Sequence, residues 1–209
     1  IDIAFELGQL FDKSDNAQQA FEYFTKGNQL SQQFPAHREI NKSEFLDLTD
    51  AVNAHLTADW LATWSTLSPP SDAPAPAFIV GFPRSGTTLT EQILAAHPKL
   101  QTLDEKPTFD TMLAQLPSYP GSLAQLNNAQ AGKLRAAYFD AVGEFIDFGG
   151  NTRIIDKMPL NIIHAVSMQR FFPAAKLILV VRHPCDSCLS CFMQNFVVNS
   201  SMANFFSLE

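Results

Sequence analysis

The residues best placed to do chemistry lie in Ile79-Val-Gly-Phe-Pro-Arg-Ser-Gly-Thr-Thr-Leu-Thr90. An apolar run, Phe78 to Val80, reads as a buried parallel strand. It meets Gly81, then Pro83, Arg84, Ser85 and Gly86, and the helix-forming run Leu89 to Ala96 follows. Strand, glycine-bounded loop and helix together aim backbone N–H groups and the positive end of a helix dipole at an anion. The stretch therefore predicts a site for a phosphate-bearing ligand. Gly81 and Gly86 have the spacing of a nucleotide P-loop, but Thr87 stands where that loop carries its lysine. The cation sits inside the loop instead, as Arg84. That arrangement suits a 5′-phosphate joined to a small transferable group.

A second anion site is read in Lys176 to Phe192. Leu177 to Val181 is a continuous apolar run rich in β-branched residues, the pattern of a buried parallel strand. Arg182 then stands at the strand's carboxyl end, where open α/β sheets place their ligands. His183-Pro184 breaks the strand, a helix is predicted over Asp186 to Phe196, and Ser190 falls about two turns along it. Two further stretches carry groups that move protons or steady charge. Asp104 and Glu105 end a predicted second strand, and successive side chains on an extended segment point to opposite sides. Only one of the pair is expected to face the site. Lys157 ends the short strand Ile154 to Lys157, before Met158-Pro159, where an ammonium can stabilise charge on a bridging oxygen. His97, His164 and His183 are second choices as bases; His97 and His183 each precede a proline, which is commonly turn punctuation.

Pro83-Arg-Ser-Gly-Thr-Thr88 resembles the 5′-phosphosulfate loop of sulfotransferases that use 3′-phosphoadenosine 5′-phosphosulfate (PAPS). Arg182, Pro184, Asp186 and Ser190 form the pattern R-x-P-x-D-x-x-x-S, which resembles the 3′-phosphate site of the same family. The resemblance covers about residues 77 to 196. It is strongest to bacterial proteins that join tetratricopeptide repeats to a sulfotransferase domain and are related to tyrosylprotein sulfotransferases. It implies an α/β fold, a P-loop NTPase-like parallel sheet flanked by helices. It implies PAPS as co-substrate, with Pro83, Arg84, Ser85, Gly86, Thr87 and Thr88 on the phosphosulfate and Arg182 and Ser190 on the 3′-phosphate. Counting along from the loop, Glu105 matches the catalytic-base glutamate of that family. Arg84 and Lys157 would share the leaving oxygen, so no metal is required. The acceptor is a hydroxyl: a peptide tyrosine, a carbohydrate or a small molecule. Two alternatives stand beside this. A P-loop kinase or nucleotide hydrolase would want a lysine at position 87 and an acidic magnesium-binding strand end. A non-catalytic repeat adaptor would carry a decayed nucleotide domain.

These residues need a scaffold, and the rest of the chain supplies its outline. Residues 1–67 read as a small all-α segment. Leu7, Gly8, Phe11, Ala20 and Phe24 match one tetratricopeptide repeat in register, with Asp15-Asn16 as the turn. One repeat cannot bury its own face, so it either caps the catalytic domain or continues further repeats. Ser43 to Leu67 is predicted as a further helical stretch with the apolar stripe Phe45, Leu48, Val52, Leu56, Trp60, Leu61 and Trp64. Residues 68–76, rich in proline, read as a linker, and 77–209 as the PAPS-binding domain. Residues 107–149 are predicted helical and could wall the acceptor pocket. Family members continue past the 3′-phosphate helix to a basic segment that closes on the nucleotide, so the domain is expected to be C-terminally incomplete at Glu209.

Composition sets the remaining bounds. The 209 residues are 46% hydrophobic, enough for a sizeable core. A net charge of −7 argues against a general nucleic-acid surface, so a nucleotide must be held by local groups. Cys185, Cys188 and Cys191 lie inside the phosphate motif with no fourth cysteine, which favours packed free thiols and a reducing compartment over a cluster or a disulfide framework. The apolar runs are short, and Ile1-Asp2-Ile3 is not a signal peptide, so a cytoplasmic protein without a membrane span is expected, with a protein partner through the repeat-like segment.

Overall fold

The computed structural model describes residues 1–68, 75–149 and 152–208. Most of the linker expected over 68–76 lies outside the described residues. In chain order the elements are α1 (Asp2–Lys13), α2 (Ala17–Gln33), α3 (Pro35–Arg38), α4 (Ser43–His55), α5 (Ala58–Ala62), β1 (Ala77–Gly81), α6 (Thr87–Ala95) and β2 (Leu100–Asp104). They continue as α7 (Thr108–Leu113), α8 (Asn128–Gly143), β3 (Arg153–Lys157), α9 (Ala165–Phe171), β4 (Lys176–Val180) and α10 (Pro184–Phe192). The chain divides into two compact units, Ala51–Val181 and Ile1–Asp50 with Arg182–Glu209.

In the first unit the four strands form a wholly parallel sheet in the order β2-β3-β1-β4. Parallel neighbours cannot be joined by a tight turn, so each connection crosses over through helix. Side chains alternate across the sheet. Phe78, Val80 and Ile154 face one way, into a core with Phe109, Met112, Leu134 and Tyr138. Ala77, Ile79 and Ile155 face the other way and pack with Leu94 of α6. This alternation decides the site: Asp156 belongs to the first face and Lys157 to the second. A capping box between Asn127 and Gln130 starts α8.

Two expectations change. The stretch Ser43 to Leu67 is two helices, because the Thr57 hydroxyl accepts from the Trp60 amide and starts α5 afresh. The apolar run of β4, read as buried on both faces, pairs on one side only among the described residues, with β1, and Leu179 is 57% exposed there.

In the second unit α1 and α2 form an antiparallel hairpin, with Asn16 capping α2 through the Gln19 amide. Its core is Phe5, Ala20 and Phe24, completed by Phe192 from α10, far away in sequence. Asn28 seals the junction by donating to the Phe192 carbonyl at 2.8 Å and the Phe24 carbonyl at 3.1 Å. Glycine is required where the helices touch. A Cβ on Gly8 would stand 2.6 to 2.9 Å from the Phe24 ring, and one on Gly27 would stand 2.8 Å from the Phe5 ring. Alanine in mid-helix normally gains about 1 kcal/mol over glycine. Here overpacking against a buried ring outweighs it, so Gly8→Ala is expected to lower stability by about 1–3 kcal/mol, read as a lower urea midpoint.

Candidate active site

The phosphate-type loop follows β1 directly. Gly81 is needed because a Cβ there would lie 2.5 Å from the Val180 carbonyl oxygen of the neighbouring strand. Gly86 turns the chain into α6 with φ +107°, a backbone that favours glycine. Arg84 holds φ +66° within the loop, a left-handed conformation that costs about 1–2 kcal/mol outside glycine. No side chain caps the start of α6. Ser85 is 8% exposed, and its hydroxyl has no partner among the described residues. A buried hydroxyl and an uncapped helix start, beside an arginine, form a donor-rich cradle that fits an anionic phosphate or sulfate group.

Lys157 ends β3, between Ile79 of β1 and Asp104 of β2. Its side chain is 1% exposed and lies on the α6 side, where the Thr88 hydroxyl accepts from Nζ at 3.5 Å. The ammonium pairs with both Asp104 and Glu105, the latter at 2.6 Å. The expectation that only one of these carboxylates can face the site is overturned. Glu105 has φ +50° and its amide donates to the Lys157 carbonyl at 2.9 Å. The strand's alternation stops there, and consecutive side chains converge on one cation. Burial alone would depress the Lys157 ammonium, but its hydrogen bonds to Asp104 and Glu105, and their charges, outweigh it and leave its pKa raised. Lys157 is therefore a fixed cation, with one carboxylate from the strand and one from the turn.

Behind the turn a buried polar cluster anchors it. Asp156, 2% exposed, accepts from Thr108 at 2.7 Å and from Tyr138 at 3.0 Å. Thr108 opens α7 immediately after Lys106-Pro107, so Asp156 ties down the segment carrying Glu105. Burial pushes the Asp156 carboxyl up to about 6, against the pull of its two hydrogen bonds and with a push from Asp110. His164 is 5% exposed and shares the Tyr119 hydroxyl with Ser167, at 2.7 Å and 2.9 Å. Burial depresses it to about 4, which makes it a neutral core group. The sequence reading missed Asp104 as a Lys157 partner and Asp156 as the anchor. The sign was present in the second case, a carboxylate inside an otherwise apolar strand.

The structure thus brings Thr88, Glu105 and Lys157 together, with the loop residues Pro83 to Thr87 preceding them. Arg182 and Ser190 belong to the other unit. Arg182 follows β4 and forms an ion pair with Asp186 at 3.8 Å, and Ser190 is half-buried on α10. His183 is the residue before α10, and His97 accepts from the Lys99 amide. The three cysteines are free thiols graded from exposed Cys185 to buried Cys191. No helix among the described residues is long and apolar enough to cross a membrane.

Residues 76–208 match the model of a sulfotransferase family. An uncharacterized protein of Aquifex aeolicus strain VF5 is 27% identical over 214 residues, covering 96% of this chain and 27% of that one. Protein-tyrosine sulfotransferase A of Caenorhabditis elegans is 32% identical over 112 residues, covering 50% of this chain and 30% of the relative. The chain therefore spans roughly a quarter to a third of the length of these relatives. Since the family model covers the parallel sheet, the loop after β1 and the carboxylate–lysine cluster together, the chain belongs to the sulfotransferase family.

Proposed function

We propose that this chain transfers a sulfuryl group from PAPS to an acceptor hydroxyl. Pro83, Arg84, Ser85, Gly86, Thr87 and Thr88 bind the 5′-phosphosulfate, and Arg182 and Ser190 bind the 3′-phosphate. Glu105 takes the proton of the acceptor hydroxyl as its oxygen bonds to sulfur. The bond from sulfur to the bridging oxygen breaks, and Arg84 and Lys157 steady the charge left on the phosphate. The observation that carries this reading is the convergence of Thr88 and Glu105 on buried Lys157. It puts the helix start proposed to cradle phosphate and the proposed base each in contact with the proposed leaving-group cation. Lys157 begins in the grip of Glu105 and Asp104. An incoming phosphosulfate competes for the ammonium, and Glu105 is released to act as base while Asp104 keeps hold. A peptide tyrosine is the preferred acceptor, supported by the relative named a protein-tyrosine sulfotransferase. The α1–α2 hairpin acts as a tetratricopeptide-like unit that presents a protein partner, within a cytoplasmic protein.

Calorimetric titration tests the donor. The desulfated product, 3′-phosphoadenosine 5′-phosphate, is expected to bind without magnesium and more tightly than ATP. A preference for ATP with magnesium would sink the reading in favour of a nucleotide kinase. Arg182→Ala should weaken this bisphosphate by about 1.5–3 kcal/mol, the scale of a hydrogen bond to a charged group, and barely affect adenosine 5′-phosphate. Equal weakening of both would remove Arg182 from the 3′-phosphate.

A further inference from the structure

A second site lies away from the carboxylate–lysine cluster, beside the first residues of β4. A groove of about 580 Å³ is lined chiefly by Leu61, Trp64, Val166, Arg170, Pro173 and Leu177. Its size is that of a small-molecule pocket and its walls are mostly apolar. Arg170 of α9 lines it, and Arg135 of α8 lies near enough for its charge to act on Arg170; each is 7% exposed. Buried charges are ordinarily paired. Here no carboxylate pairs with either among the described residues, and each guanidinium is left to backbone carbonyls. Arg135 donates to the Phe171 carbonyl at 2.5 Å and the Ser68 carbonyl at 2.7 Å, and Arg170 donates to the Ser65 carbonyl.

Those bonds do not use all the donors. Arg135 Nη2, Arg170 Nε and Trp64 Nε1 are buried without partners, and Arg170 lies over the Trp64 ring at 4.8 Å. Arginine and tryptophan offer donors and no acceptors, so the cluster lacks acceptors and negative charge together. Arg170 Nη2 reaches the Ser65 hydroxyl only at 3.4 Å, a contact readily given up to a better acceptor. Burial disfavours both cations, and the like charge of Arg135 further disfavours Arg170. In a chain of net charge −7 this pair of cations, without a carboxylate partner among the described residues, is an exception that a bound anion would resolve.

We propose that the groove binds a small organic anion with an apolar body, its carboxylate toward Arg170 and its chain against Leu61, Val166, Pro173 and Leu177. The lining disfavours inorganic phosphate, which has no apolar body to bury. The proposal does not rest on the sulfuryl-transfer reading, and the titrations that test that reading leave it untouched.

The two tryptophans of the chain, Trp60 and Trp64, stack edge to face at 4.9 Å, so intrinsic fluorescence reports on this region. Octanoate and 1-octanol are the probes, matched in chain length and different in charge. Octanoate is expected to give a saturable fluorescence change at about tenfold lower concentration than octanol, which is the discrimination a single charge supplies. Arg170→Ala removes the clamp on Ser65 and can unfold the protein, so Leu61→Glu on the exposed wall is the decisive variant. Both probes lose the Leu61 contact, and only the acid meets like-charge repulsion, so octanoate should weaken by about tenfold more than octanol. Equal binding of acid and alcohol, indifference of octanoate to Leu61→Glu, or no saturation at millimolar octanoate would overturn the proposal.

Discussion

Lys157→Met is expected to lower sulfuryl transfer from PAPS to a tyrosine-containing peptide by about 10²–10³-fold in kcat, the scale found when one preorganised charge-stabilising donor is removed. Methionine keeps the unbranched, apolar stem, so the 1% exposed position stays filled and the fold is retained. The loss should fall on kcat more than on KM for the peptide, because the leaving oxygen gains its charge only as the bond breaks. Asp104→Asn is the contrast. Asp104 pairs with Lys157 and is not the proposed base, so turnover should fall by no more than about tenfold. Glu105→Gln should fall with Lys157→Met, since it removes the proposed proton acceptor. Steady-state transfer of labelled sulfate decides the matter. Wild-type turnover in Lys157→Met would end the role assigned to this lysine, and a deeper loss in Asp104→Asn than in Glu105→Gln would exchange the two carboxylates.

Asp156→Asn and His164→Gln are expected to tilt the pH dependence of stability in opposite directions. The Asp156 carboxyl is raised from 3.8 to about 6, so the folded protein holds that proton more tightly than the unfolded chain. Its contribution is full below about pH 4 and is lost as the pH rises through about 6. His164 is lowered from 6.5 to about 4, so its contribution is present above pH 6.5 and is lost as the pH falls through about 4. At about 1.4 kcal/mol per tenfold change in proton affinity, each is worth about 3 kcal/mol. The two slopes occupy the same window with opposite sign and nearly cancel in the native protein. Asp156→Asn, which keeps an acceptor for Thr108 and Tyr138, should leave a protein that gains stability from about pH 4 to pH 6.5 relative to wild type. His164→Gln should lose it over the same range. Urea midpoints across that window read both slopes, and parallel profiles for all three proteins would refute the assignment.

Local signals were legible wherever the physics is local. The glycine spacing of the first loop, the apolar run before it and the helix after it specify a strand, a turn and a helix start, and β1, Gly86 and α6 stand where those residues require. The lysine at the end of β3 and the carboxylates at the end of β2 were equally visible, because strand ends are marked by where the apolar run stops. The N-terminal hairpin was legible from small and aromatic residues at helical spacing, and Gly8 packs against Phe24 for that reason.

What depends on pairing between distant segments was not legible. Strand order is set by which edges meet, so nothing in β4 itself marked it as a neighbour of β1, and nothing in β2 and β3 marked them as neighbours. The Asp104–Lys157–Glu105 cluster rests on a single positive φ at Glu105, held by a hydrogen bond to Lys157 from across the sheet. Residue type does not encode that angle in a glutamate. Phe192 completes a core begun by Phe5 and Phe24 because burial selects partners by shape and not by distance along the chain. The sequence by itself determined the family and the strand, glycine turn and helix start from Phe78 to Ala95, since these are properties of contiguous residues. Only the tertiary structure decided that both carboxylates share one lysine and that Asp156 anchors them, together with the pair of arginines at an apolar groove, without a carboxylate partner among the described residues, because each depends on side chains meeting through strand pairing and burial.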